Sequence, residues 1–222
     1  MKHSPFKAFV PILAQVVLLG ASRELQAGTP LPPIPVNLEW RPDVTTVGVG
    51  EAVPLGLYAA AEDDPGQLIL DIQVILQWNP QELRLHGPPI DDGDYDWLAS
   101  FFPVGGLDPD GLNNTFEDGN AFYIAWAQFP PRPFPFVTTS GLHVSTILFE
   151  ALQETPNTQV TMLDRMLITE TFVLDGRIPG NRVTGSLDIA NIRIAPEPAS
   201  LAFFALLAPW ICLRARCWNR PR

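Results

Sequence analysis

The residues whose types and spacing could support chemistry are concentrated between Gly87 and Asn120. This segment contains eight acidic residues and no lysine or arginine. Six of its aspartates form two groups: Asp91, Asp92, Asp94, Asp96, Asp108 and Asp110. Carboxylate oxygens at alternating positions beside a glycine suit Ca²⁺, although the complete spacing of an EF-hand loop is absent. The segment is a candidate calcium site, with a solvated acidic loop rich in turns as the alternative.

The same segment carries aromatic residues that could stack on sugar rings if their faces are exposed. Tyr95, Trp97 and Phe101 are the candidate ligand-binding residues. Residues 96–102 also have helical spacing, which predicts a short helix that caps the domain with its aromatic side chains in the core. The two alternatives differ in whether the rings face solvent.

Recognisable catalytic patterns are scarce. The sequence has no Gly-x-Ser-x-Gly nucleophile motif. Ser140 and His143 are close in sequence, but no third residue is placed to orient them. Composition alone cannot identify the pair of carboxylates that glycoside hydrolysis needs. We therefore expect a non-enzymatic protein with no required cofactor and calcium as an optional ligand; glycan hydrolysis is the weakest alternative.

Charge and cysteine placement exclude further classes. The 222 residues carry a net charge of −10, which argues against a nucleic-acid partner because such binding relies on Lys and Arg. Both cysteines, Cys212 and Cys217, lie near the C-terminus. The region between Gly28 and Ala195 therefore has no disulfide, cysteine nucleophile or cysteine metal site.

The central region predicts an all-β domain that must position these residues. Short apolar runs are separated by Gly, Pro, Asn and Asp, as in a β-sandwich. Residues 68–78 alternate apolar and other residues at period two, which predicts one face against a core. Residues 121–129 are apolar on both faces, which predicts a central or loop-covered strand. The other predicted strands are residues 44–49, 52–60, 144–152, 158–163, 171–174 and 183–194.

The N-terminal residues have the composition of a secretory signal. Lys2 and Lys7 precede an apolar stretch, residues 8–22, and small residues follow. We expect residues 1–27 to be a signal peptide cleaved after Ala27, with cleavage after Ser22 as the alternative. Residues 28–42 are predicted as a proline-rich linker.

The C-terminal residues combine three features in a fixed order. Pro196, Glu197 and Pro198 precede an uncharged apolar stretch, residues 199–213. Four arginines then follow: Arg214, Arg216, Arg220 and Arg222. As a helix the apolar stretch would be about 22 Å long, which is short against a hydrocarbon core of about 30 Å. A short transmembrane helix with a basic stop suits transient membrane retention better than a permanent anchor.

This arrangement resembles the PEP-CTERM sorting signal of Gram-negative bacteria, over residues 196–222. The resemblance implies processing near Pro-Glu-Pro by an exosortase, a membrane cysteine protease. It also implies a mature protein at the cell surface or in an exopolysaccharide or biofilm matrix.

The central segments resemble a cohesin-like domain of the carbohydrate-binding-module superfamily. The resemblance rests on VGVGEAVPLGLYAA at 47–60, LDIQVILQWNPQELRLHG at 70–87, LHVSTILFEAL at 142–152 and VTGSLDIANIRI at 183–194. It implies a jelly-roll β-sandwich of about nine strands over residues 43–195. It also implies a non-enzymatic module that binds a polysaccharide.

A protein-docking module on the cell surface is the rival function, as in true cohesins, which bind dockerins. The docking surface would then be a flat face of the sandwich with polar side chains such as Asp71, Gln73 and Gln77. The partner is then a surface protein instead of a polysaccharide.

Overall fold

A computed structural model describes residues 32–103, 111–114 and 116–196, which contain β-strands and no α-helix. From Pro33 onward these residues belong to one unit. The strands are β1 (Val36–Pro42), β2 (Thr46–Gly48), β3 (Ala52–Ala61), β4 (Gln67–Trp78), β5 (Leu83–Leu85), β6 (Ala99–Phe101), β7 (Asn120–Trp126), β8 (Phe136–Val137), β9 (Leu142–Ala151), β10 (Thr155–Leu163), β11 (Arg165–Met166), β12 (Thr169–Glu170), β13 (Phe172–Asp175), β14 (Thr184–Leu187) and β15 (Ile189–Ala195). The described residues thus form fifteen strands, against about nine predicted, and nine of the fifteen have four or more residues.

Two sheets form a sandwich, which confirms the all-β prediction. One sheet has the order β14-β1-β3-β9-β5, and the other has the order β2-β15-β10-β4-β7-β6. Strand β4 organises the second sheet because it is long enough to pair with several strands. One of its edges pairs with β13 and then β10, and the other pairs with β8 and then β7. A separate hairpin consists of β11 and β12.

The core lies between the sheets and follows the alternation of the strands. In β4 the side chains of Ile72, Val74 and Leu76 are fully buried on the inner face. Trp78 meets Phe149 of β9 in an edge-to-face contact, with ring centroids 5.2 Å apart. The period-two pattern of residues 68–78 therefore predicted the inner face of the central strand correctly.

The predicted linker over residues 28–42 is wrong at its C-terminal end. Strand β1 begins at Val36 and pairs with β3 along its whole length. Val36 and Leu38 are fully buried, and Trp40 is 5% exposed. The alternation of these three residues drives the strand into the core, so the sandwich begins at least seven residues before the predicted boundary at residue 43.

The helix alternative for residues 96–102 is also wrong, because Ala99–Phe101 forms β6 on the edge of β7. Ser100 points inward and shares a 2.8 Å hydrogen bond with Tyr123. Extended backbone at the edge of β7 satisfies hydrogen bonds that an isolated short helix would leave to solvent. The helix alternative also predicted that the aromatic side chains of this segment lie in the core, and Trp97 and Phe102 do lie there.

A second apolar cluster lies on the outer face of the larger sheet. Ile75 of β4 and Phe122 and Ile124 of β7 are buried there with Leu112 from the segment 111–114. Met166 of the β11–β12 hairpin packs against the same cluster. Because this cluster covers the outer face of β7, residues 121–129 can be apolar on both faces. The prediction of a covered strand is therefore confirmed.

Candidate functional site

The first group of predicted calcium ligands is hydrogen-bonded to the edge of β9. Asp94 Oδ2 accepts a hydrogen bond from the backbone nitrogen of His143 at 2.9 Å. Asp92 Oδ1 accepts one from the backbone nitrogen of Thr146 at 2.9 Å. Ile90 forms a β-bridge with Thr146. Two of the carboxylates therefore position this segment against the smaller sheet.

The other predicted calcium ligands are dispersed or lie outside the described residues. Asp91 is exposed, and Asp96 forms an exposed ion pair with Arg132. Asp108 and Asp110 lie outside the described residues. Within the part of the chain that the structure describes, no three metal-ligating side chains are grouped to hold an ion. Calcium binding remains a prediction from the sequence.

The three predicted sugar-stacking residues do not form one exposed platform. Trp97 is 7% exposed, and its Nε1 donates a 3.1 Å hydrogen bond to the backbone oxygen of Val144. Tyr95 donates through its hydroxyl to the backbone oxygen of Pro133 at 3.1 Å. Phe101 lies on the outer face of the sheet, where its ring meets Trp126 at 5.8 Å. Burial of Trp97 corrects the stacking role assigned to it, because neither face of its ring is open to a ligand.

The second apolar cluster divides the predicted polar docking face into two parts. Gln77 is exposed at one end of β4, and Gln73 is half-buried toward the other end. Ile75 lies between them and is fully buried under the cluster. Asp71 is only 8% exposed. The three predicted residues therefore belong to different environments, and the face is neither flat nor continuous.

Burial changes the protonation of Asp71. It raises the pKa of this carboxyl from its ordinary value of 3.8 to about 6, although the side chains of Gln73 and Trp126 act in the opposite direction. Gln73 donates a 2.9 Å hydrogen bond to Oδ2, while Oδ1 has no hydrogen-bond partner among the described residues. Trp126 is the residue paired with Asp71 across β4 and β7. This part of the face therefore places a buried carboxyl with a raised pKa beside a partly exposed indole, unlike the exposed Gln77 at the other end.

An apolar surface with one arginine surrounds Gln73, and it was not predicted. We call it the hairpin surface, and its residues are Gln73, Trp126, Ile168, Phe172 and Arg182. Ile168 at the tip of the β11–β12 hairpin is 75% exposed, and Trp126 is 38% exposed. The guanidinium of Arg182 lies over the ring of Phe172, 5.1 Å from the ring centroid, which is within the cation–π range of about 6 Å. A concavity of about 250 Å³ lies beside Gln73 and Ile168.

Ion pairs fix the hairpin next to this surface. Glu170 of β12 pairs with both Arg165 and Arg182. The hydrogen bond from Arg182 is the largest influence on the pKa of Glu170, which lies below its usual value. Arg182 is thus oriented by both a carboxylate and an aromatic ring, so its position on the hairpin surface is defined.

A polar groove lies at the other end of the face, where β4 ends and β10 begins. We call it the amide groove, after the carboxamides of Gln77, Asn79, Asn120, Asn157 and Gln159. Its volume is about 540 Å³. Pairing of Gln77 with both Asn120 and Thr161 across neighbouring strands assembles its floor. Gln77 was predicted on a docking face, but the other carboxamides were not singled out from the sequence.

The predicted sorting residues lie almost entirely outside the described residues. Pro196 is exposed and follows directly after β15. Glu197, Pro198, residues 199–213, the four arginines and Ala27 lie outside the described part. Among the described residues, no helix has the length and hydropathy to span a membrane.

Comparison with known proteins identifies the fold. No protein-family model and no curated protein matches the sequence. The seventh ScaB type I cohesin of Pseudobacteroides cellulosolvens aligns with a TM-score of 0.51 at 12% identity, over 74% of this chain and 94% of that chain. The third ScaC cohesin of Acetivibrio cellulolyticus, solved in complex with a ScaB dockerin, aligns with a TM-score of 0.50 at 12% identity, over 72% and 98%. The central domain therefore has a cohesin-like fold.

Proposed function

We propose that this chain is an exported, non-enzymatic module that docks a protein partner through the hairpin surface. The observation that carries the proposal is the exposure of Trp126 and Ile168, beside the half-buried ring of Phe172 and the oriented guanidinium of Arg182. Trp, Tyr and Arg are the residue types that most often dominate binding energy at protein interfaces. Exposed apolar side chains grouped in this way favour a partner over solvent.

The cohesin-like fold supports a protein partner. One of the similar cohesin modules was solved in complex with a dockerin. A dockerin-like module that presents apolar side chains to Trp126 and Phe172 is therefore the first partner to test. The second apolar cluster limits the area of the larger sheet that a partner can contact, because Leu112 and Met166 already cover the centre of that sheet.

We do not propose that Tyr95, Trp97 and Phe101 bind a polysaccharide, because a buried Trp97 cannot stack on a sugar ring. A carbohydrate role requires a different surface of the same domain.

Export and sorting complete the proposal. Residues 1–27 act as the signal peptide, and residues 196–222 act as a PEP-CTERM signal that an exosortase processes after transient membrane insertion. The position of Pro196, exposed and directly after β15, supports this assignment because a cut at Pro-Glu-Pro would leave every described strand intact. The mature protein would then remain at the cell surface or in the extracellular matrix.

Affinity capture from the extracellular matrix tests docking. We expect the full chain to retain one protein, whose affinity is then measured with both purified partners. The Trp126→Ala/Phe172→Ala variant should bind at least about tenfold more weakly, the effect of losing about 1.4 kcal/mol at an interface. Phe136→Ala is the matched control, since this ring is also exposed but lies on β8. Equal binding by the double variant and the wild type would refute the hairpin surface as the docking site.

Mass spectrometry of the mature C-terminus tests sorting separately. A terminal peptide that ends near Pro196 is the expected result, and a retained Arg222 terminus would contradict processing. Neither result depends on which partner the domain binds.

A further inference from the structure

We infer that the amide groove binds a neutral glycan. This site goes beyond the proposed docking function and does not depend on it, because the second apolar cluster separates the groove from the hairpin surface. The volume of about 540 Å³ falls within the range of small-ligand sites. Its described lining residues include five carboxamides and no lysine or arginine.

Two residues that line the groove each have a buried polar atom without a hydrogen-bond partner among the described residues. Trp78 is 4% exposed and Thr158 is 1% exposed, and both residues line the groove. Neither Nε1 of Trp78 nor Oγ1 of Thr158 forms a hydrogen bond with any residue that the structure describes. Buried donors are almost always satisfied in folded proteins, but the ring of Trp78 faces Phe149 in the core, so these two atoms do not by themselves indicate a ligand in the groove.

The backbone of β10 is irregular next to Thr158, which lines the groove. The pairing of β10 with β15 shifts register between Thr155 and Thr158. Such bulges re-aim side chains and are frequent next to binding sites. Here the irregularity lies at the start of β10, directly beside the exposed carboxamide of Asn157.

The carboxamides have unused hydrogen-bonding capacity. Asn79 Oδ1 accepts from the backbone nitrogen of Gln81 at 3.0 Å, and Gln159 Nε2 donates to Asn191 at 2.9 Å. These bonds orient two of the five groups. The side chains of Gln77, Asn120 and Asn157 make no hydrogen bond to any residue that the structure describes. The groove therefore combines fixed and available amide groups.

The chemistry of the lining selects the class of ligand. A carboxamide both donates and accepts hydrogen bonds, as a hydroxyl group does, so a row of them matches a sugar with several hydroxyls. Glu82 and Asp118 also line the groove and would repel phosphate, sulfate or uronate groups. A peptide partner would need apolar anchors. The groove offers few such anchors, because ten of its eleven described lining residues are polar or glycine.

An array of neutral and anionic oligosaccharides, probed with the full-length protein, tests this inference. We expect retention of neutral glycans, followed by calorimetric titration with the strongest neutral ligand. The Gln77→Ala/Asn157→Ala variant should bind at least about tenfold more weakly, since two exposed hydrogen-bonding groups are lost without disturbing the core.

Gln153→Ala is the matched control, because it removes an exposed carboxamide that does not line the groove. Thermal melts of all variants verify that the sandwich remains folded. Binding of neutral glycans that Gln153→Ala preserves and the double variant loses would support the site. Preference for anionic glycans, absence of any bound glycan, a bound peptide in place of a glycan, or wild-type affinity of the double variant would each overturn it. Capture experiments on Trp126→Ala/Phe172→Ala report separately on docking.

Discussion

Asp94 and His143 are joined by two hydrogen bonds. The backbone nitrogen of Asp94 donates to the backbone oxygen of His143 at 2.9 Å, and the backbone nitrogen of His143 donates to Oδ2 of Asp94 at 2.9 Å. His143 in turn stacks on Tyr58 with ring centroids 4.8 Å apart. Residues that the sequence marks as candidate metal ligands therefore help to fasten the acidic segment to the smaller sheet.

Gly93 allows this close approach, and its replacement should destabilise the domain. A Cβ at this position would lie 2.3 Å from the backbone oxygen of Val144, closer than atoms tolerate. We expect Gly93→Ala to lower the free energy of unfolding by about 1–3 kcal/mol, as overpacking does. Gly48→Ala is the control, because its Cβ would meet only the flexible carboxylate of Glu51. Denaturant titration of both variants measures the difference, and equal stability would contradict the close contact.

Calcium should have little effect on the first acidic group. Asp92 and Asp94 already accept hydrogen bonds from β9, so binding an ion there would require those bonds to break or be shared. We expect the melting temperature to stay unchanged when millimolar calcium is added. A clear increase that Asp108→Asn/Asp110→Asn abolishes would instead support the calcium site predicted from the sequence.

Asp71 should make the domain less stable as the pH rises. Its folded pKa of about 6 lies above its ordinary value of 3.8, so the folded state binds the proton more tightly. The resulting cost is absent below pH 4, grows between pH 4 and 6, and reaches about 3 kcal/mol above that range. Asp71→Asn should therefore stabilise the domain at pH 7.5 and have little effect at pH 4. Denaturant titration at both pH values tests this, and a pH-independent difference would count against it.

Asp175 should have the opposite pH dependence, although it is also buried. Burial acts to raise its pKa, but hydrogen bonds from Asn181 and Arg177 outweigh burial and lower it. Its Oδ1 accepts from the backbone nitrogen of Asn181 at 2.8 Å, and its Oδ2 accepts from Asn181 Nδ2 at 3.0 Å. A lowered pKa stabilises the fold above the ordinary value of 3.8, and this stabilisation is lost as the pH falls through the folded value.

Asp175→Ala should consequently lower the free energy of unfolding at pH 7 by about 2 kcal/mol or more, since several donors lose their acceptor. The loss relative to the wild type should shrink under acidic conditions. Chemical denaturation at pH 7 and pH 3 provides the comparison, with Arg177→Ala as a control for the exposed ion-pair partner. A variant that is equally destabilised at both pH values would contradict this assignment.

Local periodicity predicted much of the fold. The alternation of apolar residues in β4 correctly predicted which of its side chains face the core. The same alternation at Val36, Leu38 and Trp40 could have revealed β1. The prolines that precede Val36 led to the prediction of a linker instead. Period two also cannot show where a chain crosses between sheets. Residues 183–194 were predicted as one strand, but β14 and β15 belong to different sheets.

The two proposed binding surfaces could not be predicted from the sequence because they depend on pairing between distant residues. Trp126 joins the hairpin surface because it pairs with Asp71, and Phe172 joins it because it pairs with Gln73. The sequence shows each residue type but not this register. The same limit applies to the amide groove, where Gln77 and Asn120 meet only through the antiparallel pairing of β4 and β7.

Two tryptophans should separate structural from binding roles. Trp97 is buried and hydrogen-bonded to Val144, so Trp97→Ala should lower the free energy of unfolding by about 3–5 kcal/mol. Trp126 is 38% exposed and its ring contacts Phe101, so Trp126→Ala should cost about 1 kcal/mol or less while weakening partner capture. Denaturant titration and partner binding are measured for both variants, with the wild type in parallel. Similar losses of stability in the two variants would show that Trp126 is a structural residue, and the hairpin surface would lose its central contact.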